Sequence, residues 1–206
     1  FFAAAFNPTT GLRYFHVITA ALVMGGLVAI SVAAYHYLKG KNLDFAKKTV
    51  KTGLAVTIVA TCALFISAHS TAVGVWEEQP TKLAAMEAQY EDEAPPLYFF
   101  GWVDEQNQTV IGPSLPAFTS FLATFTFDTV YPGLNSLAES EQYGNMDVAD
   151  IPVGAVFQVY HLMVAVSGIL VLLLLITLFA LWRKKFNDWK WLQKLMVIAP
   201  IFPFAA

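Results

Sequence analysis

Long apolar runs separated by polar segments dominate the pattern along the chain. Residues 8–38, 54–75 and 153–182 are each long enough to cross the membrane, since a helix needs about 20 residues to cross about 30 Å of hydrocarbon. A fourth run is opened by Trp191 and is still apolar at Ala206, where the sequence stops. The pattern predicts an all-α integral membrane protein, a helix bundle with three full spans and a truncated fourth.

The connection between the second and third spans is polar, and its pattern changes several times. Good helix formers predict a short surface helix at 81–90. Two prolines and like charges predict a break at 91–96. Residues 114–127 are apolar but too short to span, which suggests an interfacial or re-entrant piece. Residues 139–150 are predicted to form a solvated linker.

Charged residues predict which ends of the spans face the cytoplasm, because short loops rich in Lys and Arg stay on that side. The connection 71–152 holds 13 of the 15 acidic residues and one basic residue, Lys82, so we place it outside the cell. The cytoplasmic clusters are Lys39, Lys41, Lys47, Lys48 and Lys51 after the first span, and Arg183, Lys184, Lys185, Lys190 and Lys194 after the third.

These patterns divide the chain into three regions. Residues 1–70 hold the first two spans, 71–152 form an extracytoplasmic loop, and 153–206 hold the third span and the start of a fourth. Both ends look cut, because the first residue is Phe1 and the last run is interrupted. A fragment of a larger subunit, the product of a split gene, and ends that were not recovered all remain open.

Composition supports the membrane class and excludes several functions. Hydrophobic residues make up 57% of the chain and charged residues 13%, with a mean hydropathy of +0.56, which excludes an ordinary soluble domain. The acidic exposed loop excludes nucleic acid as a partner. The sequence has neither a glycine-rich phosphate loop nor a Cys/His zinc spacing.

Histidines in apolar spans are candidate functional residues, because ionisable groups are costly at membrane depth. His16 lies about 13 Å and Met163 about 17 Å along their helices from the outer end, at 1.5 Å per residue. An imidazole and a thioether at similar depth could hold one heme iron between them. His161 lies about 200° around the helix from Met163, so it is an alternative to Met163 rather than a co-ligand.

The other two histidines lie near the water boundaries. His36 adjoins the first lysine cluster, and we interpret it as an interfacial residue without a functional role. His69 closes the second span and is a candidate for a site at the outer face.

Several motifs together cover nearly the whole chain. They are FNPTTGLRYFHV, AYHYLKGKNLDFAKK, EEQPTKLAAMEAQYE with LYFFGW shortly after it, YHLMVAVSG and IAPIFPFAA, of which TKLAAMEA is the most specific. In these motifs the sequence resembles the C-terminal half of subunit I of cytochrome bd, the quinol-oxidising terminal oxidase of bacteria and archaea.

The resemblance implies two sites. In that family the outer loop binds quinol, with Lys82 and Glu87 as the implied pair, and His16 and Met163 are the implied axial ligands of a low-spin heme b. Lys82 and Glu87 are about 140° apart on a helix, so they are not a tight ion pair. Glu87 is the candidate base for a quinol proton. His161 takes the position where many members have an arginine near heme propionates.

The resemblance also implies partners, because the family's first four helices are missing here, and with them a ligand of the oxygen site. High-spin heme b and heme d are therefore expected only with an N-terminal half of subunit I or an equivalent chain. Subunit II, small subunits and membrane lipid are further expected partners in a prokaryotic cytoplasmic membrane.

The predicted function is that of the quinol-oxidising, low-spin heme b part of a cytochrome bd-type oxidase. It would pass electrons from membrane quinol toward an oxygen-reducing heme site and release protons outside, without reducing oxygen alone. The alternative is a bd-like cytochrome b subunit that transfers electrons or docks other subunits and has no oxidase activity.

Overall fold

The computed structural model describes residues 2, 7, 10–140 and 146–205, and these are mainly helical. Parts of two predicted segments, residues 8–9 of the first span and 141–145 of the linker, lie outside the described residues. In chain order the helices are α1 (Thr10–Lys39), α2 (Leu43–Glu78), α3 (Pro80–Glu87), α4 (Phe118–Thr124), α5 (Leu134–Glu139), α6 (Val153–Trp182), α7 (Lys190–Ile198) and α8 (Phe202–Ala205).

Helices α1, α2 and α6 are long and apolar enough to cross a membrane, which confirms the three predicted spans. Asn7 precedes α1, and its Oδ1 accepts a hydrogen bond of 3.1 Å from the Thr10 amide, the kind of bond by which an Asn side chain caps a helix. The predicted fourth span corresponds to α7, followed by a short 3-10 helix (Ala199–Ile201) and α8. Whether these elements continue as a full span stays a prediction.

Helix α2 starts earlier than predicted. The expected span at 54–75 is the apolar middle of a helix of 36 residues, Leu43–Glu78. Lysine is a good helix former, so Lys47, Lys48 and Lys51 lie in the first turns of the helix and not in a loop. Only a tight turn separates α1 from α2, and Gly40 and Asn42 take positive φ there, at 64° and 52°.

The chain divides into two compact units, one formed by Phe1–Ala68 with Val166–Ala206 and the other by His69–Ala165. In the first unit α1 packs against α7, and Ser31 Oγ donates a hydrogen bond of 2.7 Å to the Val197 carbonyl. Fully buried side chains of both helices belong to the core of this unit; they include Leu27, Ile30, Ala33, Leu192 and Met196.

Glycines allow α1 and α2 to approach each other closely. A Cβ atom built at Gly26 would overlap the Thr57 side chain and lie 3.1 Å from the carbonyl oxygen of Gly53. Small residues at such crossings let helix backbones pack together in a membrane, where van der Waals contact drives the association. The α1–α2 contact therefore depends on the absence of a side chain at Gly26.

The second unit contains four short strands that the all-α prediction missed. They pair as two antiparallel ribbons, β1 with β4 and β2 with β3. Strands of two or three residues are too short to produce a readable alternation of apolar and polar positions, which takes four or more. The strands are β1 (Leu97–Tyr98), β2 (Trp102–Asp104), β3 (Thr109–Ile111) and β4 (Ser114–Leu115).

The remaining loop segments also have defined structure. Helix α3 occupies most of the segment 81–90 that we expected to be helical. The apolar segment 114–127 contains β4 and α4. A 3-10 helix, Val148–Asp150, precedes α6. Buried side chains hold the unit together, including Ala84, Tyr90, Val103, Leu134 and Phe157.

Candidate functional site

Glu87 is a buried carboxylic acid at the end of α3. Proline starts this short helix at Pro80, and Ala88 ends it in the left-handed conformation, with φ of 51°. Ala84 lies three residues before Glu87, so both share one helix face. That face is turned into the unit, and Glu87 is only 3% exposed.

Gln89 fixes the chain just after Glu87. Its Nε2 donates hydrogen bonds to the carbonyl oxygens of Glu91, Glu93 and Tyr131, the last at 2.7 Å. The backbone adds a further bond, because the Leu134 amide donates to the Gln89 carbonyl at 3.0 Å. These bonds hold the end of α3 against the segment that leads into α5.

Two side chains from the first turns of α6 face Glu87. The Tyr160 hydroxyl is hydrogen-bonded to the Glu87 carboxyl group. His161 Nε2 lies 4.0 Å from Glu87 Oε2, and both side chains are almost fully buried. At 4.0 Å the pair is too far apart for a hydrogen bond. Neither atom has a hydrogen-bond partner within the described part of the chain.

The orientation of the His161 ring follows from its other nitrogen. Nδ1 lies 2.9 Å from the Phe157 carbonyl, which can only accept, so Nδ1 carries the proton and donates. The Phe157 ring also stacks on the imidazole, with centroids 3.9 Å apart. Nε2 of a neutral ring is then an acceptor directed toward Glu87.

Burial changes the acid strength of Glu87. Loss of solvation raises its pKa to about 7, and the hydrogen bond with Tyr160 partly offsets that rise. Glu87 therefore gains and loses its proton near neutral pH, which suits a group that accepts a proton and passes it on.

Lys82, the other residue of the implied quinol-site pair, lies on a different face of α3 from Glu87. Its side chain is exposed, whereas that of Glu87 is buried. The ammonium group of Lys82 makes no ion pair or hydrogen bond with any residue that the structure describes. The structure thus brings Glu87 together with His161 and Tyr160 and leaves Lys82 on the surface of the loop.

His16, the predicted heme ligand, is half-buried on α1 in the first compact unit. Its Nδ1 lies 3.0 Å from Ser67 Oγ on α2. No hydrogen bond to His16 Nε2 is seen among residues 10–140 and 146–205. A ring whose Nδ1 is held by a neighbour and whose Nε2 is available fits the donor chemistry of a heme ligand.

Met163 lies on α6 in the second compact unit, and its side chain is 39% exposed. A thioether is a suitable axial heme ligand. Because His16 and Met163 belong to different units, their pairing stays a prediction. His161 is two residues away, and both of its ring nitrogens face groups of its own unit, Phe157 and Glu87.

The two remaining histidines contact aromatic rings. His36 lies edge-on to Phe45, with ring centroids 5.6 Å apart, at the predicted cytoplasmic end of α1. His69 lies beside Phe125 at the same centroid distance. Neither residue adjoins Glu87 in the described contacts.

Sequence reasoning missed two residues at these sites, Tyr160 and Ser67. Tyr160 adjoins His161, and a phenol at the start of an apolar span usually finds a hydrogen-bond partner. Ser67 is a polar residue in the apolar span of α2, where a buried hydroxyl also needs a partner. Both were visible as polar positions, but their partners are distant in the sequence.

Comparisons with known proteins agree on one family. The model of the family described as cytochrome bd terminal oxidase subunit I matches residues 1–206. A cytochrome bd ubiquinol oxidase subunit 1 of Bacillus subtilis is 32% identical over 205 residues, which are 97% of this chain and 44% of that protein. A cytochrome bd-II ubiquinol oxidase subunit 1 of Escherichia coli is 30% identical over 135 residues, 64% of this chain and 26% of that protein.

The fold also matches a solved structure, that of a bd oxidase from Geobacillus thermodenitrificans. The TM-score is 0.84 at 23% sequence identity, and the match covers 98% of this chain and 45% of the other. The chain therefore spans less than half the length of these relatives.

Proposed function

Because the chain belongs to the cytochrome bd terminal oxidase subunit I family, we propose that it forms the quinol-oxidising, low-spin heme b part of a bd-type oxidase. In this proposal the chain is the C-terminal half of the subunit. It takes electrons from a membrane quinol and passes them toward an oxygen-reducing heme site on the rest of subunit I or an equivalent chain. Subunit II and small subunits complete the assembly.

The buried carboxyl group of Glu87 carries this proposal. A quinol must lose two protons as its electrons leave, and a base within hydrogen-bond reach speeds that loss. Glu87 has a pKa of about 7 and one oxygen, Oε2, without a hydrogen-bond partner in the described residues. The Tyr160 hydroxyl holds the other side of the carboxyl group. Glu87 is thus fixed in position while one oxygen stays available for a proton.

Lys82 has a different role in this proposal. It is the only cation of an acidic loop, and its exposed ammonium group is free to turn toward a quinone oxygen at the membrane surface. Since it does not contact Glu87, it would contribute binding rather than proton transfer. The loop lies outside the cytoplasmic membrane in this proposal, so the quinol protons leave on the outer side.

His16 and Met163 would hold the low-spin heme b, which supplies one-electron transfer when bound. The donor chemistry of His16 fits this role, because its Nδ1 is held by Ser67. The ring of His161 faces Glu87, and this contact supports a role in packing the quinol-site carboxyl group. A contact of His161 with a heme propionate stays a prediction.

Optical spectra of the assembled complex test the proposal. A short-chain quinol added under anaerobic conditions should produce the reduced low-spin b band, together with high-spin b and d-type bands. Reduction of a low-spin b band alone would favour the electron-transfer or docking alternative. A heme that dithionite reduces and quinol does not would contradict the quinol site itself.

A further inference from the structure

Ser67 joins the predicted heme ligand on α1 to helix α2. Its side chain is only 2% exposed, and its hydroxyl oxygen lies 3.0 Å from His16 Nδ1. Both residues belong to the same compact unit. The same hydroxyl also lies 2.9 Å from the Leu64 carbonyl oxygen, one helical turn earlier on α2.

These two contacts determine where the protons are. A hydroxyl has one hydrogen, and a carbonyl can only accept, so the Ser67 hydroxyl donates to Leu64. Ser67 Oγ must then accept from His16, which places the ring hydrogen on Nδ1. In the neutral imidazole the lone pair consequently lies on Nε2. The opposite tautomer would forfeit one of the two hydrogen bonds.

We propose that Ser67 is a positioning residue that fixes the tautomer and ring orientation of His16, and that it would thereby lower the midpoint potential of a heme held by His16. This inference rests on the proposed function, which assigns the heme to His16. When a neighbouring group accepts a hydrogen bond from the ring N–H of a ligating histidine, the other ring nitrogen, which binds the metal, becomes more electron-rich. A stronger donor stabilises the oxidised iron more than the reduced iron, so the potential falls.

A purely structural role for Ser67 makes a different prediction. If the hydroxyl served only to join α1 to α2, its loss would lower stability and leave the spectrum and potential of the heme unchanged. Ser31 offers a matched comparison, because its hydroxyl also donates to a backbone carbonyl, that of Val197, at 2.7 Å within the same unit. Ser31→Ala removes one such bond without touching His16.

The test is an optical redox titration of the low-spin b band in the purified, assembled complex. Ser67→Ala should raise the midpoint potential and convert part of the oxidised heme to a high-spin form, since the ring is no longer held. Ser67→Thr keeps the hydroxyl and should restore the parent values. Ser31→Ala should match the parent. Should Ser67→Ala fail to assemble, Ser67→Cys, with its weaker acceptor, should show a smaller rise.

Two results would overturn the inference. One is a parent potential and parent spectrum in Ser67→Ala, or in Ser67→Cys if only that variant assembles. The other is an equal shift in Ser31→Ala. His16→Ala separates this failure from failure of the proposed function. If His16→Ala retains the low-spin band, the heme assignment itself is wrong, whereas loss of that band with an unshifted Ser67 variant removes only the role of Ser67.

Discussion

Glu87 Oε2 and His161 Nε2 face each other at 4.0 Å, and neither atom has a hydrogen-bond partner among the described residues. Buried polar atoms are rarely left unpaired, so an unpaired buried carboxylate oxygen needs a specific explanation, and a catalytic role is one. The gap belongs to a carboxyl group whose other side is held by Tyr160. A quinol oxygen that reached Glu87 would give the carboxyl group the partner that it lacks.

Glu87→Gln should slow quinol oxidation by about 100-fold, because the amide keeps the size of the side chain but cannot accept the proton. Heme content should stay at the parent level. Steady-state rates with a short-chain quinol in the assembled complex measure the effect. Glu78→Gln, which changes an exposed carboxylate just before α3, is the control and should keep the parent rate. A parent rate in Glu87→Gln with full heme content would contradict the quinol-site assignment.

The pH dependence follows from the raised pKa of Glu87. Below about pH 7 the carboxyl group holds its proton and cannot act as a base, so kcat/KM for quinol should fall tenfold per pH unit on the acidic side. The measurement is a pH profile of quinol oxidation in the parent complex and in Glu87→Gln. The variant should lose this limb, and an acidic limb that persisted in it would belong to another group.

The same pKa predicts how the stability of the loop changes with pH. The unfolded carboxyl group has a pKa near 4.5 and the folded one near 7, so the folded state holds its proton more tightly. The free energy of unfolding therefore decreases as pH rises from about 4.5 to about 7 and changes little above that. This dependence should also vanish in Glu87→Gln, where limited proteolysis of the loop at several pH values reports it.

Lys82→Ala should raise the apparent KM for quinol several-fold and change kcat little. An exposed ammonium group that only holds a quinone oxygen contributes equally to the ground state and the transition state. Lys82→Arg keeps the charge and should retain most of the affinity. The role in binding would be contradicted if kcat fell while KM stayed constant.

The predictability of the fold depends on the length of each element. The apolar runs of α1, α2 and α6 mark the three spans, because a membrane span needs a long apolar segment. The N-terminal extension of α2 was missed, because its lysines lower the hydropathy and so suggested a loop, although lysine is a good helix former. The strands of the loop were missed because they are two or three residues long.

The candidate site could be predicted only residue by residue. Glu87 and His16 were singled out from the sequence, through the resemblance for Glu87 and through depth in the membrane for His16. Their hydrogen-bond partners, Tyr160 and Ser67, could not be predicted, because each hydrogen bond joins helices that are far apart in the sequence. No local pattern encodes which buried polar groups meet. The separation of Lys82 from Glu87 was predictable, because five residues along a helix place the two side chains about 140° apart, and one is exposed while the other is buried.

Gly26→Ala should weaken the contact between α1 and α2, because the added Cβ would overlap Thr57 and approach the Gly53 carbonyl at 3.1 Å. Overpacking of this kind costs about 1–3 kcal/mol. Gly25→Ala is a matched control one residue away, where a Cβ meets nothing within 4 Å. Thermal unfolding of the complex in detergent should show a lower midpoint for Gly26→Ala and no loss for Gly25→Ala. Equal unfolding midpoints for the two variants would contradict the prediction, because they would mean that α1 and α2 accommodate the added Cβ without loss of stability.

Met163→Leu tests which of two neighbouring residues on α6 is the heme ligand. The substitution nearly conserves volume, so folding should be retained, but leucine has no lone pair for iron. The low-spin heme should become partly high-spin and its potential should fall, because a thioether ligand raises the potential. Reduced and oxidised spectra of the purified complex measure both effects.

His161→Gln is the companion variant and should keep the low-spin spectrum, since the ring of His161 is held by Phe157 and directed toward Glu87. The reverse outcome, an unchanged spectrum in Met163→Leu and a lost low-spin band in His161→Gln, would transfer the ligand role to His161. It would also leave Glu87 without the imidazole that faces it in this structure.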